Sequence, residues 1–287
     1  MRSEIVRRWR ARGAFERAAG HEVFVVDEGA GDPVVLLHGF PTSSSDWHAV
    51  WDRLGDRRRV ALDLPGFGLS EKPADYAYGL MEQAEVVLAV LGARGLERAH
   101  LVGHDMGTSV ACELLARRER GASPFAPRSL TLMNGSVHIE MARLTPSQRL
   151  LRSPVADAFA RIGRYPVFRM QLRRILGRPV PEAELEAMWE QLVHLDGKRR
   201  LPAIIRYVDE RWRFRHRWIG ALTRLDVPAL VAWGPRDPVA VFAIAEQLAR
   251  EIPTARLERL DDLGHYPQLE DPPRVGGVLR AFFDAHA

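Results

Sequence analysis

The pentapeptide Gly103-His104-Asp105-Met106-Gly107 constrains this chain more than any other stretch. An apolar run, Ala99 to Gly103, precedes it and reads as a buried strand, and Met106 to Arg117 reads as a helix. An aspartate between them sits on a sharp strand-to-helix corner. Larger side chains at 103 and 107 would collide with the neighbouring strand and helix, so the corner needs its glycines. The helix N-terminus favours a negative charge at Asp105, which suits a carboxylate nucleophile. Gly-x-Asp-x-Gly alone also fits a helix-capping aspartate, so the rest of the chain must decide.

Short apolar runs alternate with helical stretches, which predicts an α/β fold with a mostly parallel sheet flanked by helices. Strands are expected over Glu22 to Asp27, Pro33 to Leu37, Arg59 to Asp63, Ala99 to Gly103, Leu130 to Asn134, Pro228 to Trp233 and Ala255 to Leu260. Helices are expected over Thr42 to Leu54, Gln83 to Leu91, Met106 to Arg117, Val241 to Arg250 and Arg274 to Ala285. Residues 136–221 break this rhythm. They are Arg-rich, contain tryptophans, carry no strand pattern and are interrupted by Pro146, Pro154, Pro166, Pro179 and Pro202. Residues 1–135 and 222–287 therefore read as two parts of one core, with 136–221 as an inserted helical cap. A chain of 287 residues, 46% hydrophobic, can bury such a core.

The formal net charge is +4, with an arginine run around Arg7, Arg8 and Arg10. Acidic residues are interspersed throughout and no aromatic-plus-basic motif occurs, so no nucleic-acid partner is expected. Cys112 is the only cysteine, which excludes a disulfide within the chain and points to the reduced cytoplasm. Its place after the corner makes it a buried structural thiol. The N-terminal residues mix Arg and Glu with apolar residues, unlike a signal peptide. No run approaches the ~18 apolar residues of a membrane span. A small-molecule substrate, no membrane partner and a possible homodimer are expected. The ten histidines lack zinc spacing such as His-Glu-x-x-His, so neither metal nor organic cofactor is expected.

Two further residues complete a candidate constellation with Asp105. Asp237 follows a strand in Gly234-Pro235-Arg236-Asp237-Pro238, and His265 follows the last strand in Leu263-Gly264-His265-Tyr266. The chain order is nucleophile, acid, base. Each lies beyond the C-terminal end of a strand, where α/β sheets build their sites. Asp237 can accept from one imidazole nitrogen of His265, freeing the other to deprotonate water. The alternative acid position, after the preceding strand, holds the uncharged Asn134. In His38-Gly39-Phe40-Pro41, the Phe40 amide joins that of Met106 as an oxyanion hole, each donor worth ~3 kcal/mol in the transition state. Pro41 is a candidate for a cis bond. His38 belongs beside the pocket, fixing this loop.

These motifs, with Asp63-Leu64-Pro65-Gly66-Phe67-Gly68 and Glu270-Asp271-Pro272, resemble those of α/β-hydrolases of the epoxide hydrolase and haloalkane dehalogenase branch. A closer resemblance, over nearly the whole chain, is to the mesoderm-specific transcript hydrolase-like proteins. It rests on His38 to Trp47, Arg217 to Leu222, Gly234 to Val239 and His265 to Pro272. It implies an α/β-hydrolase fold with an eight-stranded sheet and a cap.

Aspartate at the corner implies attack on an sp³ carbon, an alkyl ester of Asp105, and hydrolysis of that ester by water activated by His265. An epoxide leaving oxygen needs a proton. Tyr207 lies at a spacing like that of the family's proton-donating cap tyrosine. Met170 aligns with the second such tyrosine, a departure that counts against ordinary epoxide chemistry, and the nearby Tyr165 is a candidate substitute. A halide needs N–H donors, yet Phe40 and Met106 stand where many dehalogenases carry asparagine and tryptophan. Trp189 and Trp212 are candidate pocket residues. Epoxide hydrolysis leads, haloalkane or haloacid dehalogenation is the alternative, and a non-catalytic hydrolase-like binding protein is the alternative of another class.

Overall fold

The computed structural model describes all 287 residues. Eight strands form one sheet: β1 (Gly13–Ala18), β2 (His21–Glu28), β3 (Val34–Leu37), β4 (Arg59–Leu62), β5 (Arg98–His104), β6 (Ala126–Met133), β7 (Ala229–Trp233) and β8 (Ala255–Arg259). Their spatial order is β1-β2-β4-β3-β5-β6-β7-β8. The β1–β2 and β2–β4 pairs are antiparallel and all others are parallel. Strands β3 and β7 are buried along their whole length, because helices cover both faces. Along β2 and β3 alternate residues feed opposite faces: Val23, Val25, Val35 and Leu37 join one apolar layer, and Phe24, Val26, Val34 and Leu36 the other.

The first strand and the helix before it escape sequence patterning. The edge strand β1 (GAFERA) is polar and mostly open to solvent. Helix α1 (Glu4–Arg12) buries only Val6 and Trp9 among its arginines. Trp9 nonetheless anchors it, donating to Ser44 Oγ at 2.9 Å and meeting Trp51 edge-on at 4.9 Å. The helix expected over Thr42 to Leu54 is three short pieces: two 3-10 turns, Ser44–Trp47 and Asp52–Leu54, around α2 (His48–Trp51).

Helices α3 (Leu80–Ala93) and α4 (Met106–Glu119) follow. Between β6 and β7 no strand occurs. The chain there forms α5 (Pro146–Leu151), α6 (Ala156–Ile162), α7 (Tyr165–Arg173), α8 (Glu182–Val193), α9 (Leu201–Ile204) and α10 (Tyr207–Thr223), with 3-10 turns at Ile139–Met141 and His194–Arg200. Pro146, Pro166 and Pro202 occupy first helical turns, where a missing N–H costs nothing. The chain ends with α11 (Phe242–Glu251), α12 (Pro267–Glu270) and α13 (Pro272–Asp284).

Two carboxylates tie the helical insertion to the sheet. Glu113 on α4 is buried and accepts from Arg217 Nε at 2.8 Å and Trp218 Nε1 at 2.9 Å on α10, and from its own neighbour Arg117 Nε at 2.8 Å. Glu270 accepts from the amides of Gly177 and Arg178 at 2.8 Å, of Gly264 at 2.7 Å and of Tyr266 at 3.0 Å. One carboxylate thus clamps the insertion against the loop that carries His265.

Candidate active site

Asp105 adopts φ +44° and ψ −109°, a strained conformation for a residue with a side chain. It is held by close packing on every side. A Cβ on Gly103 would lie 2.6 Å from the Gly107 carbonyl oxygen, and one on Gly107 would lie 2.5 Å from that of Leu37. A Cβ on Gly39 would lie 2.5 Å from that of Asp105 itself. The glycines are therefore spatial requirements of the corner, as the sequence predicts for Gly103 and Gly107; Gly39 adds a third.

The loop after β3 meets this corner. The Phe40 N–H donates to Asp105 Oδ2 at 2.9 Å, and the Phe40–Pro41 peptide bond is cis. The Met106 N–H opens α4 beside the carboxylate but makes no hydrogen bond to it, so the expected pair of donors is occupied on the Phe40 side alone. His38 donates Nδ1–H to the Gly39 carbonyl at 3.0 Å and accepts the Leu64 N–H at Nε2, 3.1 Å away. Both ring nitrogens are spent on backbone, and burial lowers the pKa of the ring. His38 braces the loop and offers no polar atom to a pocket.

His265 Nδ1 lies 2.6 Å from Asp237 Oδ2. Asp237 is fixed in turn: its Oδ1 accepts the Val239 and Ala240 amides at 2.7 and 3.1 Å, and its Oδ2 accepts Asn134 Nδ2 at 2.9 Å. His265 Nε2 has no protein partner. Burial lowers the His265 pKa, but the charge and hydrogen bond of Asp237, then the charges of Asp105 and Glu270, outweigh it and raise it to about 9. The backbone of His265 is pinned from both sides, its N–H donating to the Ile175 carbonyl at 2.9 Å and its carbonyl accepting His104 Nε2 at 2.6 Å. His104 itself is held neutral, its pKa lowered to about 3 by burial and by the neighbouring imidazole. Asp105, Asp237 and His265 are 4%, 3% and 3% exposed, so this chemistry lies under the insertion and away from bulk water.

Residues 32–272 match the family model for the alpha/beta hydrolase fold. The chain belongs to the α/β-hydrolase family. It is 41% identical to LipZ of Mycobacterium tuberculosis over 276 residues, covering 95% of this chain and 96% of that one. It is 38% identical to the human mesoderm-specific transcript homolog protein over 296 residues, covering 98% and 87%. Among solved structures, the haloalkane dehalogenase DatA from Agrobacterium tumefaciens superposes with a TM-score of 0.80 at 24% identity, covering 96% of this chain and 97% of that one. An esterase from Exiguobacterium antarcticum also gives a TM-score of 0.80, at 22% identity over 95% and 99% of the two chains. These structural likenesses show the fold alone.

Within this hydrolase, the remaining candidates separate. Tyr207, at the start of α10, is buried with its ring 5.6 Å from that of Phe40. Burial, then the charge of Asp105, raise its pKa, so it stays a phenol. Tyr165 instead donates to Glu182, and it lines a surface hollow of about 600 Å³ with Trp189 and residues Met1 to Ser3. That hollow contains none of Asp105, Asp237 and His265, and it sets Tyr165 and Trp189 beside the N-terminal residues. Trp212 is 44% exposed, with the Arg215 guanidinium over its ring at 5.3 Å, and is a surface residue. Met170 is 44% exposed as well. Cys112 is buried in the core, where desolvation pushes its thiol pKa up. No three His, Cys, Asp or Glu side chains converge to hold a metal ion.

Two residues at the site carry no sequence signature. Arg211, on α10, is 2% exposed; its Nη2 donates to the Asp105 carbonyl at 2.9 Å and to Asp105 Oδ1 at 3.4 Å, and its Nε to Ser109 Oγ at 2.9 Å. It is one of four arginines at alternate positions, 211, 213, 215 and 217, and only the helix phase singles it out. Tyr266 is buried beside His265, its ring 5.1 Å from both His104 and His265 and its hydroxyl 3.4 Å from the Phe40 carbonyl. A Tyr after a loop histidine is unremarkable in sequence.

Proposed function

We propose that this hydrolase attacks an sp³ carbon with Asp105, forms an alkyl ester, and hydrolyses that ester with water activated by His265. The observation that carries this reading is a pair of contacts, one at the strained corner and one at the loop histidine. Asp105 Oδ2 rests on the Phe40 amide at 2.9 Å, while His265 is locked to Asp237 at 2.6 Å with its other nitrogen free. Oδ2 is then the carbonyl oxygen of the ester, already beside an oxyanion donor, and Oδ1 is the attacking oxygen.

The raised pKa of His265 fits two steps with opposite needs. Before reaction, Asp105 is an anion and helps keep His265 protonated. Ester formation removes that charge. The imidazole then loses one of the influences holding its proton and becomes the base that the second step requires. Water attacks Cγ of Asp105, His265 takes its proton, and the alkyl oxygen leaves as the product hydroxyl by taking that proton from the imidazolium.

Epoxide hydrolysis to a diol is the reaction proposed. Tyr207 is a buried phenol within the field of Asp105, suited to protonate the opening epoxide oxygen. Dehalogenation is the second reading, favoured by one observation: the Arg211 guanidinium stands beside Oδ1 and can receive a departing anion. The test is His265→Gln treated with epoxides and organohalides and read by intact-protein mass spectrometry. The expected result is the substrate's mass added at Asp105. No adduct across a broad panel would favour a binding role for the chain. Diol or halide released by the unaltered hydrolase separates the two reactions.

A further inference from the structure

We infer that the substrate of this hydrolase carries a carboxylate next to the carbon that Asp105 attacks, and that Arg211 holds it. This rests on the reading of Asp105 as the nucleophile. Arg211 is buried, and its single ion-pair partner is Asp105, at 3.4 Å. Its other acceptors, the Asp105 carbonyl and Ser109 Oγ, are uncharged. Alkylation turns Asp105 into a neutral ester at every turnover. A neutral substrate would therefore strand a buried guanidinium without a counter-ion throughout the lifetime of the ester, a strongly destabilising condition. A carboxylate that arrives with the substrate restores the pair.

Donor geometry points the same way. Nε and Nη2 of Arg211 are engaged, but Nη1 has no protein acceptor and is not sealed from solvent. The guanidinium lies over the Tyr207 ring at 4.6 Å, which fixes its plane. A carboxylate can meet Nη1 and Nη2 as a fork, in the planar arrangement that arginine favours. Oδ1, the attacking oxygen, is next to the same Nη2, so the carbon bonded to that carboxylate lies within its reach. A single carboxyl carbon between anion and electrophile satisfies both contacts.

For a 2,3-epoxycarboxylate the step balances without an added reagent. An Oδ1 lone pair forms the new C–O bond, the epoxide C–O bond breaks, and its electron pair stays on the epoxide oxygen, which takes the Tyr207 proton. Water then cleaves the ester at Cγ and the proton returns to the phenolate. For a 2-halocarboxylate the carbon–halogen bond breaks and halide leaves.

The experiment compares matched pairs that differ only in charge: glycidate against glycidamide, and 2-chloropropanoate against 2-chloropropanamide. Asp105 alkylation rates are read in His265→Gln by mass spectrometry. The carboxylate member of at least one pair is expected to react about ten- to a hundredfold faster than its amide, the size of a charge-assisted hydrogen bond. Arg211→Gln, in the same background, is expected to bring the carboxylate-to-amide rate ratio close to one, and Arg211→Lys to restore part of it. Equal or faster reaction of the amides overturns the carboxylate proposal and leaves Asp105 as nucleophile. So does labelling by uncharged epoxides or haloalkanes alone. No label from any of these compounds overturns both.

Discussion

Asn134 donates its side-chain amide to Asp237 Oδ2 at 2.9 Å, the oxygen that also faces His265 Nδ1. Its own Oδ1 accepts the Gly234 N–H at 3.0 Å, so one amide fixes both the acid and the strand end that carries it. An uncharged residue here sets no second carboxylate against Asp237. Asn134→Asp would set two carboxylates in hydrogen-bond contact, which cannot both ionise readily. Ester hydrolysis should slow and its pH profile should move, as followed by stopped-flow decay of the adduct; an unchanged profile would count against this role. Asn134→Ala should cost about 1–3 kcal/mol of stability in urea unfolding, because the buried Gly234 N–H loses its acceptor.

Tyr207→Phe removes the proposed acid while keeping the ring against Phe40 and Arg211. Epoxide opening should slow by roughly 10²–10⁴-fold, the usual range for a positioned general acid. Hydrolysis of a preformed adduct should be spared, and so should displacement of halide, which needs no proton. Rapid-quench measurement of the two steps checks this. Unaltered epoxide opening would remove Tyr207 from the mechanism and direct attention to Tyr266.

His265 makes stability and catalysis depend on pH in linked ways. Its folded pKa is raised from the ordinary 6.5 to about 9, with burial opposing and Asp237 prevailing. A raised pKa stabilises the fold fully below the unfolded value and loses that contribution as pH rises through the folded one. The Tm should therefore fall between about pH 6.5 and 9 more steeply in the natural protein than in His265→Gln. Adduct hydrolysis should rise with pH and level off below pH 9, because the ester lacks the Asp105 charge that helps hold the proton. A plateau reached only above pH 9 would contradict the charge-removal argument.

Glu113 offers a test of how the insertion is held. Its carboxylate is buried and bridges α4 to Arg217 and Trp218 of α10, the helix that also carries Tyr207 and Arg211. Glu113→Ala leaves those partners uncompensated. The loss should be toward the lower end of the ~3–5 kcal/mol typical for breaking a buried pair, since Arg217 reaches solvent. Differential scanning calorimetry reads it directly, and a change under ~1 kcal/mol would mean surface-like screening.

The parts of this molecule visible in sequence are those where one residue type has one reason to be there. Strands β3, β5 and β7 announce themselves because burial on both faces demands apolar runs, and Gly103 and Gly107 because only hydrogen fits against the corner. Asp237 and His265 follow strand ends in the expected order. Polar β1 and the Arg-laden α1 hide because an edge strand and a single-stripe helix need few apolar residues. Cap side chains are harder still. Trp212 and Arg211 are neighbours on α10, yet one is 44% exposed and the other 2%. Which faces the site depends on helix phase and packing, and the tryptophan that invites a pocket role is the one turned outward.

A single turnover in H₂¹⁸O distinguishes water attack on Asp105 from water attack on the substrate. Water that attacks Cγ of Asp105 leaves its oxygen in the enzyme, so peptide mass spectrometry should find ¹⁸O in the Asp105 carboxylate and unlabelled oxygen in the first-formed product. Label appearing in the product while Asp105 stays at natural abundance would mean that water attacks the substrate itself, and the covalent account would be wrong.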